Sequence, residues 1–400
     1  MALTFEQARA CVLREVSLSM SMECVALADA AGRVLAEEIR ADRDYPPFAR
    51  SARDGFAVRS GETPGTLRVV GEVRAGEAAG VSVGSGEAVE IMTGAPVPQG
   101  ADAVVMIEHV IRKEMCDGEF VKIDRTLRSN ENISRQGEEA HSGRALLEPG
   151  KLLGYAEISL LAMVGHTEVQ VFRRPRVAIV TTGDELVEAH EQPGPVQIRN
   201  SNAASLAVQV RRAGGLPEVL PIARDNYEST SALIARGLDA DVLLLSGGVS
   251  AGKYDIVEKT LADAGAEFFF DRVLIQPGQP VVFGCVKRHV TKFFFGLPGN
   301  PVSTMVTFEV FARAAIEKMQ GIEDPPLRML RARLTREFRH KPGLTRFLPA
   351  MLSVDGATVE AAASRGSGDV AALARANAFL VAAPDQETWA AGEDIRVLLK

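Results

Sequence analysis

Between residues 175 and 321 the chain alternates short, unbroken apolar runs with stretches of helical length. This alternation constrains the fold more than any other feature. RVAIVTTG (176–183), DVLLLSGG (241–248) and KFFFGLPG (292–299) are the runs a strand needs when both faces of its sheet are covered. LPEVLPIA (216–223) reads as a further extended segment. SNAASLAVQVRRAGG (201–215), STSALIARGL (229–238), DIVEKTLADAG (255–265) and residues 302–320 read as helices. Strands and helices in turn are the sequence form of βαβ units, so the spacing predicts an α/β domain with a doubly wound, mostly parallel sheet.

The flanking regions differ. Residues 4–20 read as a helix, opened by a capping box of Thr4 and Gln7. Residues 33–145 carry short apolar runs such as LRVVGEV (67–73) and AVEIM (88–92) between turn residues, which predicts a β-rich insertion. LLGYAEISLLAMVG around 150–165 reads as a second helix ended by Gly165, expected to pack with the first and bracket the insertion. Residues 326–400 return to β character and end in the strand IRVLLK.

Charge and cysteine usage narrow the partners. The balance of 45 basic against 52 acidic residues gives −7, which argues against non-specific binding to nucleic acid or anionic membrane. Aromatic residues are 6%, with one Trp, too few for a base-stacking platform. No apolar run approaches the roughly 20 residues that span a bilayer. Glu6 stands where a signal peptide would place basic charge. Cys11, Cys24, Cys116 and Cys285 are far apart, as are the six histidines, so neither a disulfide framework nor a zinc site is indicated. A cytoplasmic protein with free thiols is expected, with neither nucleic acid nor membrane as partner.

In a doubly wound sheet, ligands bind outside the carboxyl ends of the strands. The turns there are Thr181-Thr182-Gly183-Asp184-Glu185, Arg224-Asp225, Ser246-Gly247-Gly248-Val249-Ser250-Ala251-Gly252 and Leu297-Pro298-Gly299-Asn300-Pro301. Glycine-rich turns bring backbone N–H groups close to an anion, and a following helix N-terminus adds a favourable dipole. Each turn also has a plain structural reading: Gly-Gly as a turn, Asn300-Pro301 as a helix start, Asp184 and Asp225 as caps. Four of them on one edge of one sheet predict a pocket of phosphate or pterin size. Asp255, five residues past Ser250, suits a Mg²⁺ shared with phosphate, and it also suits a helix cap. Glu185 and Asp225 are candidates of the same kind. The insertion adds two runs, Pro46–Ala57 with its Asp-Gly turn and the Pro-punctuated loop Met92–Asp102, which ordinary turn chemistry would also explain.

Taken together, PPF-x-x-SA-x-DGFA, TGAPVPQGADAVV, TTGDELVE, LSGGVSAGKYD, PGQP, LPGNPVS and GSGDVAALARANAFLV resemble the MoeA family of molybdopterin molybdenumtransferases, in that family's order and spacing. The resemblance covers nearly the whole chain. It implies a helical linker region (1–26 and 146–174), the β-rich insertion (27–145), a molybdopterin-binding α/β domain (175–324) and a C-terminal β-barrel (325–400). It further implies an elongated homodimer with the site shared between subunits. Transient contact with the molybdopterin adenylyltransferase and with molybdoenzyme acceptors is implied as well. The implied reaction takes adenylylated molybdopterin and molybdate as substrates, uses Mg²⁺, and releases AMP and molybdenum cofactor.

Roles follow by resemblance. Asp54, Glu185, Asp225 and Asp255 match acidic family positions, with Asp225 and Asp255 near the Mg²⁺ and pyrophosphate. Asp54 reaches in from the partner subunit, and Thr93 contacts substrate from the same side. Ser246, Gly247, Gly248, Ser250 and Gly252 cradle phosphate or pterin. Pro298, Gly299, Asn300 and Ser303 line the metal end, with Ser367 approaching from the barrel. This chain also departs from the family. Gln276-Pro277-Gly278-Gln279 stands where lysines are usual, and the run Gly343–Pro349 keeps only Arg346, shifted in position. Glutamine donates hydrogen bonds but carries no charge. Lys253 or Arg53 could restore the charge. Ala49 replaces a usual Asp and Glu139 a common Asp. These departures leave a second reading open, a protein that binds molybdopterin or the finished cofactor as a scaffold without inserting metal.

Overall fold

The structure, a computed structural model, describes residues 2–18, 21–248 and 256–400. The chain forms two compact units. One comprises Met1–Ala36, Pro149–Gly154 and Val169–Lys400, the other Glu37–Glu148 and Tyr155–Glu168.

The first unit is built on a six-stranded sheet. Its strands are β1 (Arg176–Thr181), β2 (Leu216–Val219), β3 (Val242–Ser246), β4 (Ala266–Phe270), β5 (Val282–Val286) and β6 (Lys292–Leu297), in the order 2-1-3-6-5-4. Strands β2, β1, β3 and β6 are parallel, as the alternation predicted. Strands β5 and β4 form an antiparallel edge that the sequence reading did not place. Both faces are covered, which explains the unbroken apolar runs. Val177 and Ile179 of β1 face a layer containing Leu206 and Val210 of helix α1 (Ser201–Arg212). Ala178 and Val180 face the layer of Ile234 from α2 (Tyr227–Gly237) and Leu261 from α3 (Ile256–Asp263). Successive strand residues point to opposite faces, so one strand serves two cores.

A long helix follows β6 from Pro301 to Met319, with a π-turn at Phe308–Ala312. Helix Phe5–Glu15 opens with the expected capping box, in which Thr4 and Gln7 exchange bonds of 3.0 and 3.2 Å. It packs on the long helix, with the Phe5 and Phe311 rings 6.0 Å apart. The helix at Tyr155–Met163, expected as its partner, belongs to the second unit. Sequence pattern identifies an apolar face, but several faces in the chain are equally suited to cover it.

The C-terminal region closes into a five-stranded barrel of Thr345–Leu352, Thr358–Ala361, Met329–Leu334, Asp394–Leu399 and Ala378–Ala382, the last pairing back to the first. A short strand, Ile275–Gln276, adds to it in parallel, pairing Ile275 with Thr345 and Gln276 with Arg346.

The second unit is mostly β, as its composition predicted. Its six-stranded sheet runs Ala103–Met106, Gly55–Val58, Glu87–Ile91, Gly65–Val73, Gly118–Ile123, Val110–Met115, around a core that includes Phe56, Leu67, Val105 and Val121.

Candidate active site

The strand order fixes where a ligand can bind. The connections from β1 to β2 and from β2 to β3 leave in opposite directions, so a crevice opens at the carboxyl ends of β1 and β3. A cleft of about 800 Å³ lies there. It is lined by Thr182, Gly183 and Glu185 after β1, Asp225 after β2, Ser246, Gly247 and Gly248 after β3, and Pro298, Gly299 and Asn300 after β6. All four turns singled out in the sequence therefore converge on one cavity.

The glycines after β3 are required by geometry. Gly247 sits at φ +96°, and a Cβ there would lie 2.7 Å from the Thr182 carbonyl oxygen and 2.9 Å from its Oγ1. Thr182 is buried, and its hydroxyl has no hydrogen-bond partner among the described residues. Asp184 and Asp225 bridge the ends of β1 and β2 through each other's backbone, at 3.4 and 3.2 Å. Neither caps a helix, since Asn200 caps α1 and Asn226 caps α2. Asn300 holds the N-cap position of the long helix but makes no side-chain cap bond, with Pro301 in the first turn.

A second cavity of about 570 Å³ shares Pro280, Pro298 and Asn300 with the cleft. It gathers Gln276, Gln279, Ser303, Arg346 and Ser367, residues spread over more than 90 positions of sequence. Arg346 is the one charged residue among the described lining. Its Nε is buried and has no partner among the described residues. The parallel rung between Gln276 and Arg346 is what brings the two together.

Asp54 and Thr93 lie in the second unit and bind each other. Thr93 donates both its backbone N–H (2.7 Å) and its hydroxyl (2.9 Å) to Asp54 Oδ1. These bonds hold the Asp54 carboxyl below the usual carboxylate range. Ser250, Gly252, Lys253 and Asp255 lie outside the described residues.

Comparison with known proteins decides the family. Residues 3–165 match the MoeA N-terminal region (domain I and II), 178–318 a probable molybdopterin binding domain, and 331–400 the MoeA C-terminal region (domain IV). The chain belongs to the MoeA family. A molybdopterin molybdenumtransferase of Staphylococcus aureus (strain COL) is 33% identical over 391 residues, covering 95% of this chain and 92% of that one. The Bacillus subtilis (strain 168) molybdopterin molybdenumtransferase is 35% identical over 387 residues, 94% of this chain and 89% of that one. A solved molybdopterin biosynthesis MoeA protein of Pyrococcus horikoshii OT3 superimposes over all of both chains with a TM-score of 0.81 at 27% identity. As a MoeA-family chain, it is a molybdotransferase enzyme of molybdenum cofactor biosynthesis. No helix among its described residues is long and apolar enough to cross a membrane.

The MoeA-family cleft has further lining that sequence reasoning missed: Ile198, Arg199, Asn200 and Asn202 in the first cavity, and Leu344 and Ser364 in the second. The signal for the first group was the Asn200-Ser201-Asn202 run opening α1. From Ser201 on it read only as a helix, because nothing in the local sequence marks these residues as meeting the glycine turn after β3.

Proposed function

We propose that the protein inserts molybdenum from molybdate into adenylylated molybdopterin, hydrolyses the adenylyl bond, and releases AMP and molybdenum cofactor. The observation that carries this reading is the pair of adjoining cavities with a shared wall. The first has the glycine turn and acids suited to a nucleotide phosphate and pterin. The second has donors suited to an oxyanion. A substrate spanning both would place its dithiolene against the metal and its phosphates over the turn.

The residues then take roles by their chemistry. The Gly247-Gly248 turn, with no side chain in the way, lets the phosphates approach the main chain at Gly248, assisted by the helix starting at Pro301. Glu185 and Asp225 are hard oxygen donors on the same cleft. They fit Mg²⁺ in its usual mode, held by one or two carboxylates together with substrate phosphate, where it would neutralise charge on the anhydride. Gln276, Gln279, Ser303 and Ser367 offer neutral hydrogen bonds to molybdate, and Arg346 offers the charge. In the homodimer we propose, Asp54 and Thr93 of one subunit serve the cleft of the other. Substrate arrives from the adenylyltransferase, and product passes to molybdoenzyme acceptors.

Purified protein incubated with adenylylated molybdopterin, Mg²⁺ and molybdate is expected to release AMP, and Asp225→Asn to release far less. No AMP above a protein-free control overturns the reading. One observation favours the scaffold alternative: a single cation among the described lining of the second cavity is meagre for a dianion. Tight binding of molybdopterin without AMP release would establish that alternative instead.

A further inference from the structure

Asn200 and Asn202 open helix α1, but they do different work. Asn200 caps the helix, accepting from the Ala203 N–H at 3.2 Å, and donates to Thr181 Oγ1 at 2.9 Å. Asn202 makes no cap. Its Nδ2 donates to Ser246 Oγ at 2.9 Å and to the Gly299 carbonyl at 2.7 Å. The amide orientation is set by chemistry, because a backbone carbonyl can only accept. Asn202 Oδ1 is consequently buried with no partner among the described residues.

The two acceptors are in informative places. Ser246 ends β3, where the glycine turn of the first cavity begins. Gly299 lies at the centre of Pro298-Gly299-Asn300, the segment whose flanking residues line both cavities. The backbones there are already close. Gly247 N–H donates to Leu297 O at 3.2 Å, and a Cβ on Gly299 would lie 3.6 Å from Gly247 Cα. Asn202 adds a side-chain link between these strand ends from the cleft side.

We propose that Asn202 is a positioning residue that ties the wall shared by the two cavities to the glycine turn. It thereby sets the spacing at which one substrate can hold its phosphates in the first cavity and its reacting end in the second. The proposal deepens the molybdotransferase reading and rests on it. Its consequence is selective. A ligand held in one cavity alone needs no such spacing, whereas a substrate reacting in both does.

The test uses the whole chain with Asn202→Asp, which keeps the shape, loses the donor and adds a charge, and with Asn202→Ala. Three readouts are taken: AMP binding as a probe of the first cavity, molybdate-stimulated AMP release, and exchange of the Gly299 and Asn300 amides. A misplacement of the order of an ångström reduces turnover about 100-fold, so kcat is expected to fall on that scale with KM nearly unchanged. In Asn202→Ala, AMP affinity is expected to fall by no more than about tenfold, well short of the loss in kcat, because one lining amide is removed, while amide exchange at Gly299 and Asn300 rises. Turnover within twofold of the unsubstituted enzyme, or AMP affinity lost in parallel with kcat in Asn202→Ala, overturns the proposal. If the unsubstituted protein releases no AMP, the molybdotransferase reading fails by itself. Amide exchange then still decides the link, because unchanged exchange in the variants overturns it. Should Asn202→Ala fail to fold, the near-isosteric Asn202→Asp is read through kcat and amide exchange alone, because its added charge by itself weakens AMP binding.

Discussion

Replacing Gly247 by alanine is expected to destabilise the α/β domain by a margin that the local geometry sets. Two terms act against the variant. A non-glycine residue in left-handed backbone costs about 1–2 kcal/mol, and Gly247 stands at φ +96°. The new Cβ would also lie 2.7 Å from the Thr182 carbonyl oxygen and 2.9 Å from its hydroxyl. Thr182 is 6% exposed, so it has little room to move aside. Overpacking of this kind costs about 1–3 kcal/mol. Loss of chain entropy in the unfolded state offsets about 0.4–1 kcal/mol. The net expectation is a loss of about 2–4 kcal/mol.

Gly265→Ala separates the two terms. Gly265 also has positive φ, +78°, but no atom lies within 4 Å of its ideal Cβ. It therefore carries the backbone cost alone, about 1 kcal/mol net. Urea denaturation followed by far-UV circular dichroism measures both variants. The fluorescence of Trp389, the single tryptophan, reports the barrel as an internal reference. Displacement of the turn should also weaken AMP binding about tenfold, or about 1.4 kcal/mol. If Gly247→Ala costs no more than Gly265→Ala, close approach to Thr182 is not what demands glycine there, and the assignment of this turn as a built anion cradle is refuted.

Two other outcomes follow from the site. Gln276→Lys combined with Gln279→Lys adds charge where Arg346 is the one charged residue among the described lining, so molybdate affinity by calorimetry should rise about tenfold and become more salt-sensitive; unchanged affinity would show that the second cavity does not hold the oxyanion. The Asp54 carboxyl, held down first by the Thr93 backbone N–H and then by its hydroxyl, should titrate below the unperturbed value of about 3.9 in a carbon-13 NMR experiment. The sign follows from linkage. A depressed folded value favours the folded unit above the unfolded pKa, and that contribution is lost as the pH falls through the folded value. The link should thus be intact at neutral pH and through the mildly acidic range. A midpoint at or above 3.9 refutes the Asp54–Thr93 geometry.

Much of the candidate site was legible because its signals are local. A strand covered on both faces must be apolar at every position, so β1, β3 and β6 declared themselves by unbroken runs, and the turns after them were located by the same step. The capping box of Thr4 and Gln7 is a four-residue pattern and formed as read. The family motifs were legible for the same reason, being short runs in fixed order. Strands β4 and β5 were harder. No helix separates them, and FFF or VFGCV is apolar in a way that fits either a strand or a buried helix.

Tertiary structure alone decided what meets across distance. Gln276 stands beside Arg346 because a two-residue strand from the α/β domain joins the barrel in parallel register. Asn202 reaches Ser246, 44 positions away, and Gly299, 97 away, because the order 2-1-3-6 sets the ends of β3 and β6 side by side beneath the start of α1. The partner of helix Phe5–Glu15 was likewise a matter of which apolar faces met. Sequence by itself determined the parallel strands and the helices between them, the family and the edge of the sheet where chemistry would lie, since backbone propensity and burial act residue by residue. The division of that edge into two cavities with a common wall depended on strand order and register, which arise only when the whole chain competes for the same core.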